Sequence, residues 1–547
     1  MLVFVTYVMY QEGRRVELDP VLEVSEEVES ASTSSRTAVE TTQPQASGEA
    51  AVEVTSASAP TRVITPSTSI LANEHVVATI SNGPGLISSW TLRDFNERLP
   101  DGDIPIELID ESLPIVITDI AGISGVSFAN TYFEVVRESS LEVVQRAENA
   151  SGVLTRTFRL DESGYGFALE LSFESRRGDP VDARFEVLIP ARMSQRDDFL
   201  ETSLIAFGED EGVTRTMIQT VGQPGFFGFG DVVDGVERIA GASKWAGFDV
   251  RYFSGLVIDP ADRPRLRVEF TAIEEGESGL ARLSLPGVGL AKGGVAVESL
   301  RGFLGPKTDE ALDQANADLG KAVDRGWSWL EPLTHLFEIA LVKLYSVIPN
   351  YGFAIIVLTI LVRIVTAPLM VRQMRSAERM REVQPRLKAL QEKFKDDKQK
   401  QSEEMMKFYR EEGINPLGGC LPLFLQMPVL IGLFYALRTS IALRHAPFVL
   451  WIDDLSQPAT LFTLPGVDFP VRILPLIMGA SMFVQQKMMP QTGMDPVQAR
   501  MMLIMMPGMM LFISYTFPSG LVLYWTVSNL LGIAHQYWVR NHLQPKS

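Results

Sequence analysis

One arginine lies within an otherwise apolar segment of the sequence. Arg363 belongs to FAIIVLTILVRIVTAPLM (353–370) and precedes the next basic residue, Arg372, by nine positions. If the segment is a membrane-spanning helix, Arg372 marks its polar end. A helix rises about 1.5 Å per residue, so Arg363 lies about 13 Å inside that end. A guanidinium near the centre of a bilayer costs about 2.5–3.5 kcal/mol on insertion scales, and something must offset that cost.

A buried carboxylate is the usual partner of such an arginine, but the five candidate membrane spans given below contain no Asp or Glu. We therefore expect Arg363 to face a hydrated cavity that receives an anion. The alternative is that Arg363 caps backbone carbonyls of a neighbouring helix as a packing device. The polar residues of these spans that are candidates for the cavity lining are Thr359, Gln426, Ser481, Gln485, Gln486, Tyr524, Trp525, Ser528 and Asn529.

The sequence offers little that supports catalysis. GFFGFG (225–230) lacks the spacing of a dinucleotide-binding loop, and GFLGPKT (302–308) lacks the Gly-Lys pair of a phosphate loop, so both indicate turns. The five histidines are scattered without ligand spacing, and a single cysteine excludes a disulfide framework. We expect a protein that is not an enzyme and has no metal or cofactor.

Five segments in the C-terminal half are apolar enough to cross a hydrocarbon core about 30 Å thick. The connection 372–416 carries twelve Lys and Arg, whereas 441–470 carries only Arg444. By the positive-inside rule, the first connection is cytoplasmic and the second lies on the other side of the membrane. The predicted spans are approximately 353–371, 417–437, 471–489, 497–516 and 519–538.

The basic connection has a helical pattern of its own. Val383, Leu387, Leu390 and Phe394 follow four- and three-residue spacing, and a stripe of Met405, Phe408 and Tyr409 comes after the DDKQ turn. This pattern predicts a charged helical hairpin with a narrow apolar seam. Two interpretations stay open, namely a docking arm on the cytoplasmic side and a hairpin that only connects two spans or lies on anionic lipid.

The N-terminal half differs from the C-terminal half in charge and in period. Residues 1–305 contain 25 Lys+Arg and 47 Asp+Glu, residues 306–547 contain 24 and 20, and the total net charge is −18. Such an acidic balance argues against nucleic-acid readout. Between 71 and 305, apolar and polar residues alternate, as at 167–174 and 265–272, which predicts an antiparallel β-sandwich outside the cytoplasm.

The remaining segments complete the predicted organisation. We expect 1–20 to be the incomplete remnant of an N-terminal anchor, since its apolar run MLVFVTYVMY is half a span long. Residues 21–70, rich in Ser, Thr and Glu, are expected to form a disordered linker. Residues 306–350 are expected to form a linker and an amphipathic helix, either in the membrane interface or docked on the sandwich. The core ends at 540, before a short cytoplasmic tail at 541–547.

Several ordered blocks of the sequence resemble the YidC/Oxa family of bacterial membrane protein insertases. They include ILVRIVTAPL, QPRLKAL, INPLGGCLPLFLQMPV, ILPLIMGASMFVQQKM and FPSGLVLYWTVSN, spread over about 325–540. The acidic half is similar to the periplasmic domain of Gram-negative members, most clearly at SKWAGFDVRYFSGLVIDP and RGFLGP. The resemblance implies a five-helix insertase core with a cytoplasmic hairpin, joined to a periplasmic β-supersandwich and located in the bacterial inner membrane.

The same resemblance implies a function and a set of partners. Members of the family insert newly made membrane proteins through a hydrophilic groove and help to fold them, either alone or with the Sec translocon. They receive ribosomes or targeting factors at the cytoplasmic face and contact membrane lipid. The resemblance assigns the groove arginine to Arg363, its polar companions to Thr359 and the Gln485/Gln486 pair, and a substrate-contacting aromatic to Trp525.

Two departures and two rival functions remain. The family's first transmembrane helix is represented here only by MLVFVTYVMYQ, and the C-terminal RNHLQPKS is short and mildly basic, which disfavours ribosome binding through a long basic tail. The main rival is a transporter or channel for small anions, which predicts discontinuous spans or an inverted repeat. A receptor with a membrane anchor is the second rival, but an anchor does not need five spans.

Overall fold

The computed structural model describes most of the chain between residues 64 and 542. The predictions for 1–20, most of 21–70, the GFFGFG segment and 543–547 therefore lie outside the described residues. Some helical side chains, including those of 372–378, 421–426 and 496–500, are outside the description as well. The gaps within the described region are 100–101, 110–111, 124–126, 194–200, 222–231, 234, 316–317, 396, 413–420, 465, 467–468 and 489–495.

The N-terminal part of the described chain is built from β-strands. Every pairing between these strands is antiparallel, as the alternating sequence pattern predicts. In chain order the strands are β1 (Thr68–Ala72), β2 (Val76–Ser81), β3 (Gly85–Leu99), β4 (Gly102–Ile109), β5 (Ile115–Ala121), β6 (Glu134–Glu138), β7 (Glu142–Glu148), β8 (Gly152–Leu160), β9 (Gly166–Ser175), β10 (Val181–Arg192), β11 (Ser203–Gly208), β12 (Gly212–Met217), β13 (Val232–Val233), β14 (Val236–Arg238), β15 (Trp245–Asp249), β16 (Phe253–Ile258), β17 (Arg267–Glu274), β18 (Ser278–Ser284), β19 (Val288–Leu290) and β20 (Val295–Pro306).

Among the described residues, these strands form two large sheets. The order in the first sheet is β1-β2-β3-β5-β10-β18-β17-β14-β13, with β4 paired to β3 and β19 paired to β10. The order in the second is β12-β11-β15-β16-β20-β9-β8-β7-β6. The predicted antiparallel sandwich is confirmed.

The main core lies between the two sheets. Trp90 of the first sheet packs on Phe167 of the second, with ring centroids 5.9 Å apart, and its indole N–H donates to the carbonyl of Leu304 at 2.9 Å. Along β9, Phe167, Leu169, Leu171 and Phe173 are all buried, while the residues between them are more exposed. The two-residue period at 167–174 therefore reports a strand with one face in this core.

The sandwich continues past residue 305, where we predicted a linker. Helix α1 (Asp309–Ala315) and a 3-10 turn (Leu319–Ala322) pack against the outer side of the second sheet, where Leu312 and Leu319 join Trp245 in a second apolar cluster. GFLGPKT is not a turn, because its first five residues are the end of β20. The glycines serve close packing there, since a side chain at Gly302 would overlap the ring of Phe167.

The C-terminal part of the described chain is helical. Helices occupy the five predicted spans in order. Four of them have bounds within about four residues of the prediction, whereas the first continues to Lys393. A small two-stranded sheet, β21 (Phe462–Leu464) with β22 (Phe469–Val471), interrupts the helices. The helices are α2 (Glu331–Val347), α3 (Tyr351–Lys393), α4 (Lys398–Glu411), α5 (Leu421–Thr439), α6 (Ile473–Met488), α7 (Pro496–Ser514) and α8 (Ser519–His542).

Helix α3 runs without a break through the predicted boundary at 371/372. It therefore contains both the apolar segment around Arg363 and the first arm of the basic hairpin. Its first 18 residues, Tyr351–Pro368, have a mean hydropathy of 2.0 and form the one described helix that is long and apolar enough by itself to cross a membrane. Shorter apolar helical stretches occur at Met427–Thr439 and Leu503–Ser514.

The helices pack around an apolar cluster of their own. It contains Leu358 of α3, Leu437 of α5, Met478 of α6 and Leu523 of α8. The amphipathic helix α2 packs on α3 and α5 through Phe337 and Leu341, so it is docked on the helical region. The Trp327 and Trp329 side chains before it are exposed and stack on each other, with centroids 6.1 Å apart.

Contacts between the sandwich and the helices show which ends of the helices lie next to the sandwich. Arg438, in the last turn of α5, pairs with Glu201, and Arg444 donates to the carbonyl of Asn96 at 2.5 Å. The amide of Asn350, which caps the start of α3, donates to the carbonyl of Pro447 in the same connection at 3.4 Å. The start of α3 and the α5–α6 connection thus lie on the sandwich side, and the basic hairpin lies at the far end of α3.

Candidate functional site

Arg363 is held by a residue from another helix. It lies three turns into α3 and is partly buried. Its Nε and Nη2 atoms both donate to the hydroxyl oxygen of Ser528 on α8, at 3.1 and 2.5 Å. The side chain is therefore anchored by a neutral acceptor, and the bonds to Ser528 go to a side chain, whereas the packing interpretation expected backbone carbonyls as acceptors.

The other guanidinium contact is also uncharged. Nη1 lies 3.6 Å from the sulfur of Met370, two turns further along α3. Among the described residues, no carboxylate lies within 4.0 Å of this guanidinium, whereas Arg438, Arg325 and Arg265 all form such ion pairs. The positive charge of Arg363 is therefore not neutralised by a carboxylate of the described chain.

Gln485 of α6 approaches the same place. A Cβ added to Gly532 of α8 would overlap the side-chain amide of Gln485 and would lie 3.8 Å from Nη2 of Arg363. The absence of a side chain at Gly532 therefore leaves the space in which Gln485 and Arg363 converge. The structure brings together Arg363, Ser528 and Gln485 of the predicted set, from three different helices.

Two further residues of α8 lie within electrostatic range of Arg363. They are Tyr524, which was predicted, and His535, which was not. Tyr524, Ser528, Gly532 and His535 follow spacings of four, four and three, so one side of α8 carries the whole set. This spacing from Ser528 is the sequence signal that would have found Gly532 and His535.

The remaining predicted lining residues have no described hydrogen bond to Arg363. Thr359 is fully buried, and its hydroxyl donates to the carbonyl of Ile355 within its own helix at 2.6 Å. Trp525 packs on Phe517, with ring centroids 5.8 Å apart. The side-chain oxygen of Gln486 is buried without a hydrogen-bond partner among the described residues. The side chain of Gln426 lies outside the description.

A second polar contact joins α6 and α8. The amide of Asn529 donates to the hydroxyl of Ser481 at 3.1 Å, and that hydroxyl donates to the carbonyl of Met478 at 2.7 Å. Both bonds are made within the helix pair. Ser481 and Asn529 are thereby placed in helix packing, and among the described residues no hydrogen bond joins them to Arg363.

The remaining buried charges belong to the sandwich and its contacts. Asp249 accepts from Lys307 at 3.0 Å and from Arg215 at 2.6 Å, and burial lowers the pKa of Lys307, although the charge of Asp249 opposes that shift. Glu201 pairs with Arg438 and Arg251, whose charges outweigh burial and lower its pKa to about 2. Both groups are structural clusters in which each carboxylate is paired with two cations. Among the described residues, no group of three or more His, Cys, Asp or Glu could hold a metal ion.

Comparison with known families covers most of the chain. Residues 343–546 match a family model described as "60Kd inner membrane protein", and residues 70–337 match one described as "YidC periplasmic domain". The two matches correspond to the helical part and to the sandwich.

Relatives with assigned names agree with these families. A membrane protein insertase YidC of Pelobacter propionicus is 31% identical over 474 residues, covering 83% of each chain. That of Syntrophus aciditrophicus is 32% identical, covering 83% of this chain and 81% of its own. That of Vibrio cholerae is 40% identical over 306 residues, covering 55% of this chain and 53% of its own.

Solved structures resemble the chain only weakly. A crystal structure of an active YidC insertase with its first transmembrane domain resolved covers 87% of this chain and 93% of that one, at 18% identity and a TM-score of 0.35. At that TM-score the likeness supports no argument. The family matches and the named relatives place the protein in the bacterial inner membrane with its sandwich in the periplasm. The chain belongs to the YidC/Oxa family of membrane protein insertases.

Proposed function

We propose that this protein inserts newly made membrane proteins through a polar site formed by α3, α6 and α8 around Arg363. The observation that carries the proposal is the state of that guanidinium. It is partly buried, it is anchored by the hydroxyl of Ser528, and no carboxylate of the described chain neutralises it. A positive charge arranged in this way is available to an anion that arrives from outside the chain.

The proposed substrate is the short extramembrane tail of a new membrane protein, which often carries Asp or Glu. Its carboxylate binds transiently to Arg363 and competes only with a neutral hydroxyl, so no internal ion pair has to be broken. The site at mid-depth shortens the low-dielectric path that the tail must cross. The adjoining apolar segment then enters lipid, driven by about 25 cal/mol for each Å² of apolar surface removed from water. No chemical reaction is required, so we propose a protein that is not an enzyme.

The five helices α3, α5, α6, α7 and α8 form the proposed membrane core. They bear large apolar side chains that are exposed on the outside of the bundle, such as Val365, Phe483, Met505 and Leu530. In water such a surface is unfavourable, whereas in lipid it is the expected one. The basic far end of α3, remote from the periplasmic sandwich, then lies in the cytoplasm, as the charge bias requires.

We further propose that the hairpin of α3 and α4 receives ribosomes or targeting factors, and that the protein also works beside the Sec translocon. The packing of the hairpin supports the first of these. Val383 and Leu387 are buried in the predicted seam, while Arg386, Lys400 and Arg410 stay exposed. A helical arm with exposed basic side chains suits an acidic or nucleic-acid-rich assembly. Crosslinking from position 386 to a stalled ribosome tests this assignment.

Reconstituted vesicles test the insertion proposal. A single-span substrate with an acidic tail is added to vesicles that contain the full chain, and insertion is scored by protease protection. We expect Arg363→Ala to reduce insertion strongly and Arg363→Lys to retain more of it. The matched control is Arg379→Ala, which removes an exposed arginine from the same helix. Full insertion by Arg363→Ala for every substrate, acidic or neutral, would contradict the proposed role.

The same vesicles separate insertion from transport. An insertase should protect the substrate without moving solute, whereas an anion transporter should release trapped chloride or phosphate. Solute flux that depends on Arg363, together with no insertion, would favour the rival function.

A further inference from the structure

The small sheet between α5 and α6 has one apolar face. Phe462 pairs with Val471, Thr463 with Pro470, and Leu464 with Phe469. Side chains alternate between the two faces of a strand, and directly paired residues share a face. Phe462, Leu464, Phe469 and Val471 therefore lie on one face, and Thr463 and Pro470 lie on the other.

Most of this apolar face is uncovered by the described chain. Phe462, Leu464 and Phe469 are 51, 42 and 49% exposed, and the preceding Leu461 is 40% exposed. None of the described residues of the two strands carries a charge. A two-stranded hairpin is marginally stable at best in water, and strand edges exposed to water usually carry charges that prevent association. This sequence is unsuited to an aqueous surface.

The hairpin is attached firmly to the end of α7. The ring of Phe469 stacks on Tyr515, with centroids 5.6 Å apart, and the hydroxyl of Tyr515 donates to the carbonyl of Pro470. From the other side, Arg472 donates to the carbonyl of Tyr515 at 2.5 Å, and its guanidinium lies 5.1 Å from the ring centroid. The position of the apolar face relative to α7 is thereby fixed.

That face continues the outer surface of α7. Met501, Met505, Gly508 and Phe512 recur at spacings of four, three and four, and all four are exposed. Tyr515 is three residues beyond Phe512, directly after the last residue of α7, and it contacts the hairpin. In an inner-membrane protein this exposed stripe is covered by lipid, so the surface that adjoins it at the helix end meets the same lipid.

The contacts with the sandwich indicate which leaflet of the membrane the hairpin adjoins. The α5–α6 connection begins at Ile441, which packs against the core of the periplasmic sandwich, and the connection contains the hairpin. Aromatic residues together with an arginine are the usual residues at the level of the headgroups. The surroundings of Tyr515 and Arg472 have this composition.

We propose that the β21–β22 hairpin is an interfacial foot, which buries Phe462 and Leu464 at the boundary between headgroups and acyl chains in the periplasmic leaflet. Its partner is the lipid surface itself. The foot fixes the depth and tilt of α7 relative to that boundary, through the stacked Phe469 and Tyr515. This role is independent of Arg363 and of the insertion proposal, because it needs only the inner-membrane location.

Depth measurements in nanodiscs test the foot. The single cysteine is first removed (Cys420→Ser), and Phe462→Cys, Leu464→Cys and Thr463→Cys are made separately in the full chain and labelled with an environment-sensitive fluorophore. Thr463 is the matched control, since it lies between the other two positions on the opposite face. We expect blue-shifted emission at 462 and 464, strong quenching by lipids with a nitroxide high on the acyl chain, and loss of iodide quenching relative to 463.

Three results would overturn the proposal. One is equal iodide quenching at all three positions, which means that the face is in water. Another is protection from iodide without quenching by lipid nitroxides, which means that a protein or a second copy covers it. The third is quenching at Thr463 as strong as at Phe462. If a labelled variant fails to fold, a benzoylphenylalanine at position 462 in the otherwise native chain should crosslink to lipid, and its failure to do so would contradict the foot.

Discussion

Two nitrogen atoms of Arg363 share the single hydroxyl oxygen of Ser528, which reaches them from another helix. A hydroxyl can orient a guanidinium but cannot neutralise its charge. The pair therefore fixes the direction of the Arg363 side chain, whose charge no carboxylate of the described residues neutralises. The first two predictions concern this arrangement.

Ser528→Ala keeps the charge of Arg363 and removes its acceptor. A hydrogen bond to a charged group is worth about 1.5–3 kcal/mol, so we expect a loss of stability of about 2 kcal/mol. Insertion should fall to a level between those of the unmodified protein and Arg363→Ala. The measurements are thermal unfolding in detergent and the vesicle insertion assay.

The control for Ser528 is Thr526→Val on the same helix. Its buried hydroxyl donates at 2.7 Å to the carbonyl of Val522 within α8, remote in function from Arg363. If Ser528→Ala and Thr526→Val had the same effect on insertion, the bond to Arg363 would have no special role.

Gly532→Ala should change the site with little effect on the fold. The new methyl group would overlap the end of the Gln485 side chain, which is flexible and can move aside, so the cost should be near the low end of the overpacking range, about 1 kcal/mol. Insertion of an acidic-tailed substrate should decrease because the amide of Gln485 leaves the surroundings of Arg363.

The matched control is Gly508→Ala on α7, where nothing lies within 4 Å of the added methyl group. The insertion assay compares the two variants at equal reconstituted amounts, and only Gly532→Ala should insert less substrate than the unmodified protein. Unchanged insertion by Gly532→Ala would show that Gln485 need not stand next to Arg363.

Glu201→Gln should weaken the attachment of the sandwich to α5. The arginines lower the pKa of Glu201 from 4.5 to about 2, against the effect of burial. The contribution to stability is about 2 kcal/mol, below the full linkage value since about a third of the side chain is exposed. Because the folded pKa is depressed, this contribution is present above about pH 4.5 and disappears as the pH falls towards 2.

Thermal unfolding of the full chain between pH 3 and pH 7 measures this contribution. The unmodified protein should lose stability towards acid more steeply than Glu201→Gln, whereas Glu209→Gln, at an exposed turn, should follow the unmodified profile. Parallel profiles for the unmodified chain and Glu201→Gln would refute the linkage.

Asp249→Asn should be more harmful than Lys307→Met. The carboxylate of Asp249 accepts hydrogen bonds from Lys307, Arg215 and the hydroxyl of Ser254. Its loss leaves the two cations without this counter-charge. Removing one partner of a buried ion pair typically costs about 3–5 kcal/mol. Lys307→Met leaves the Arg215 pair intact. Denaturant unfolding followed by tryptophan fluorescence measures the free energy of unfolding of both variants. Equal losses of this free energy would contradict the prediction.

The sandwich was largely predictable because its strands expose one face. The alternation at 167–174 assigns Phe167 and Phe173 to a core without any knowledge of the partner strand. What was not predictable is the close packing over Gly302, which depends on a ring contributed from more than a hundred positions away. From sequence alone, the glycine-rich segment at 302–308 resembles a turn. In the structure, the missing side chain at Gly302 leaves room for the ring of Phe167.

The helical site was predictable in part. Arg363 and Ser528 are polar residues in apolar segments, which any reading of composition finds. The sequence does not reveal which way a side chain points, so Thr359, one turn before Arg363, was expected at the cavity and is instead buried against its own backbone. The role of Gly532 follows only from the approach of α6 to α8.

The continuity of α3 was not predicted from the sequence, because a change from apolar to basic residues predicts a change of surroundings and not the end of a helix. The run of basic residues after 371 predicts where the chain leaves lipid, but the helix continues through this boundary, and through Pro368 and Pro385 as well. One hydrogen-bonded rod therefore carries Arg363 and, about 36 Å further along, Leu387 of the hairpin seam. Pro368 and Pro385, which lack the N–H groups that would bond to the carbonyls of Ile364 and Arg381, lie between them. An assembly bound to the hairpin, as proposed above, would therefore act on the same helix that holds the guanidinium. Pro368 and Pro385 are the two places along this stretch where a proline removes a backbone hydrogen bond of that helix.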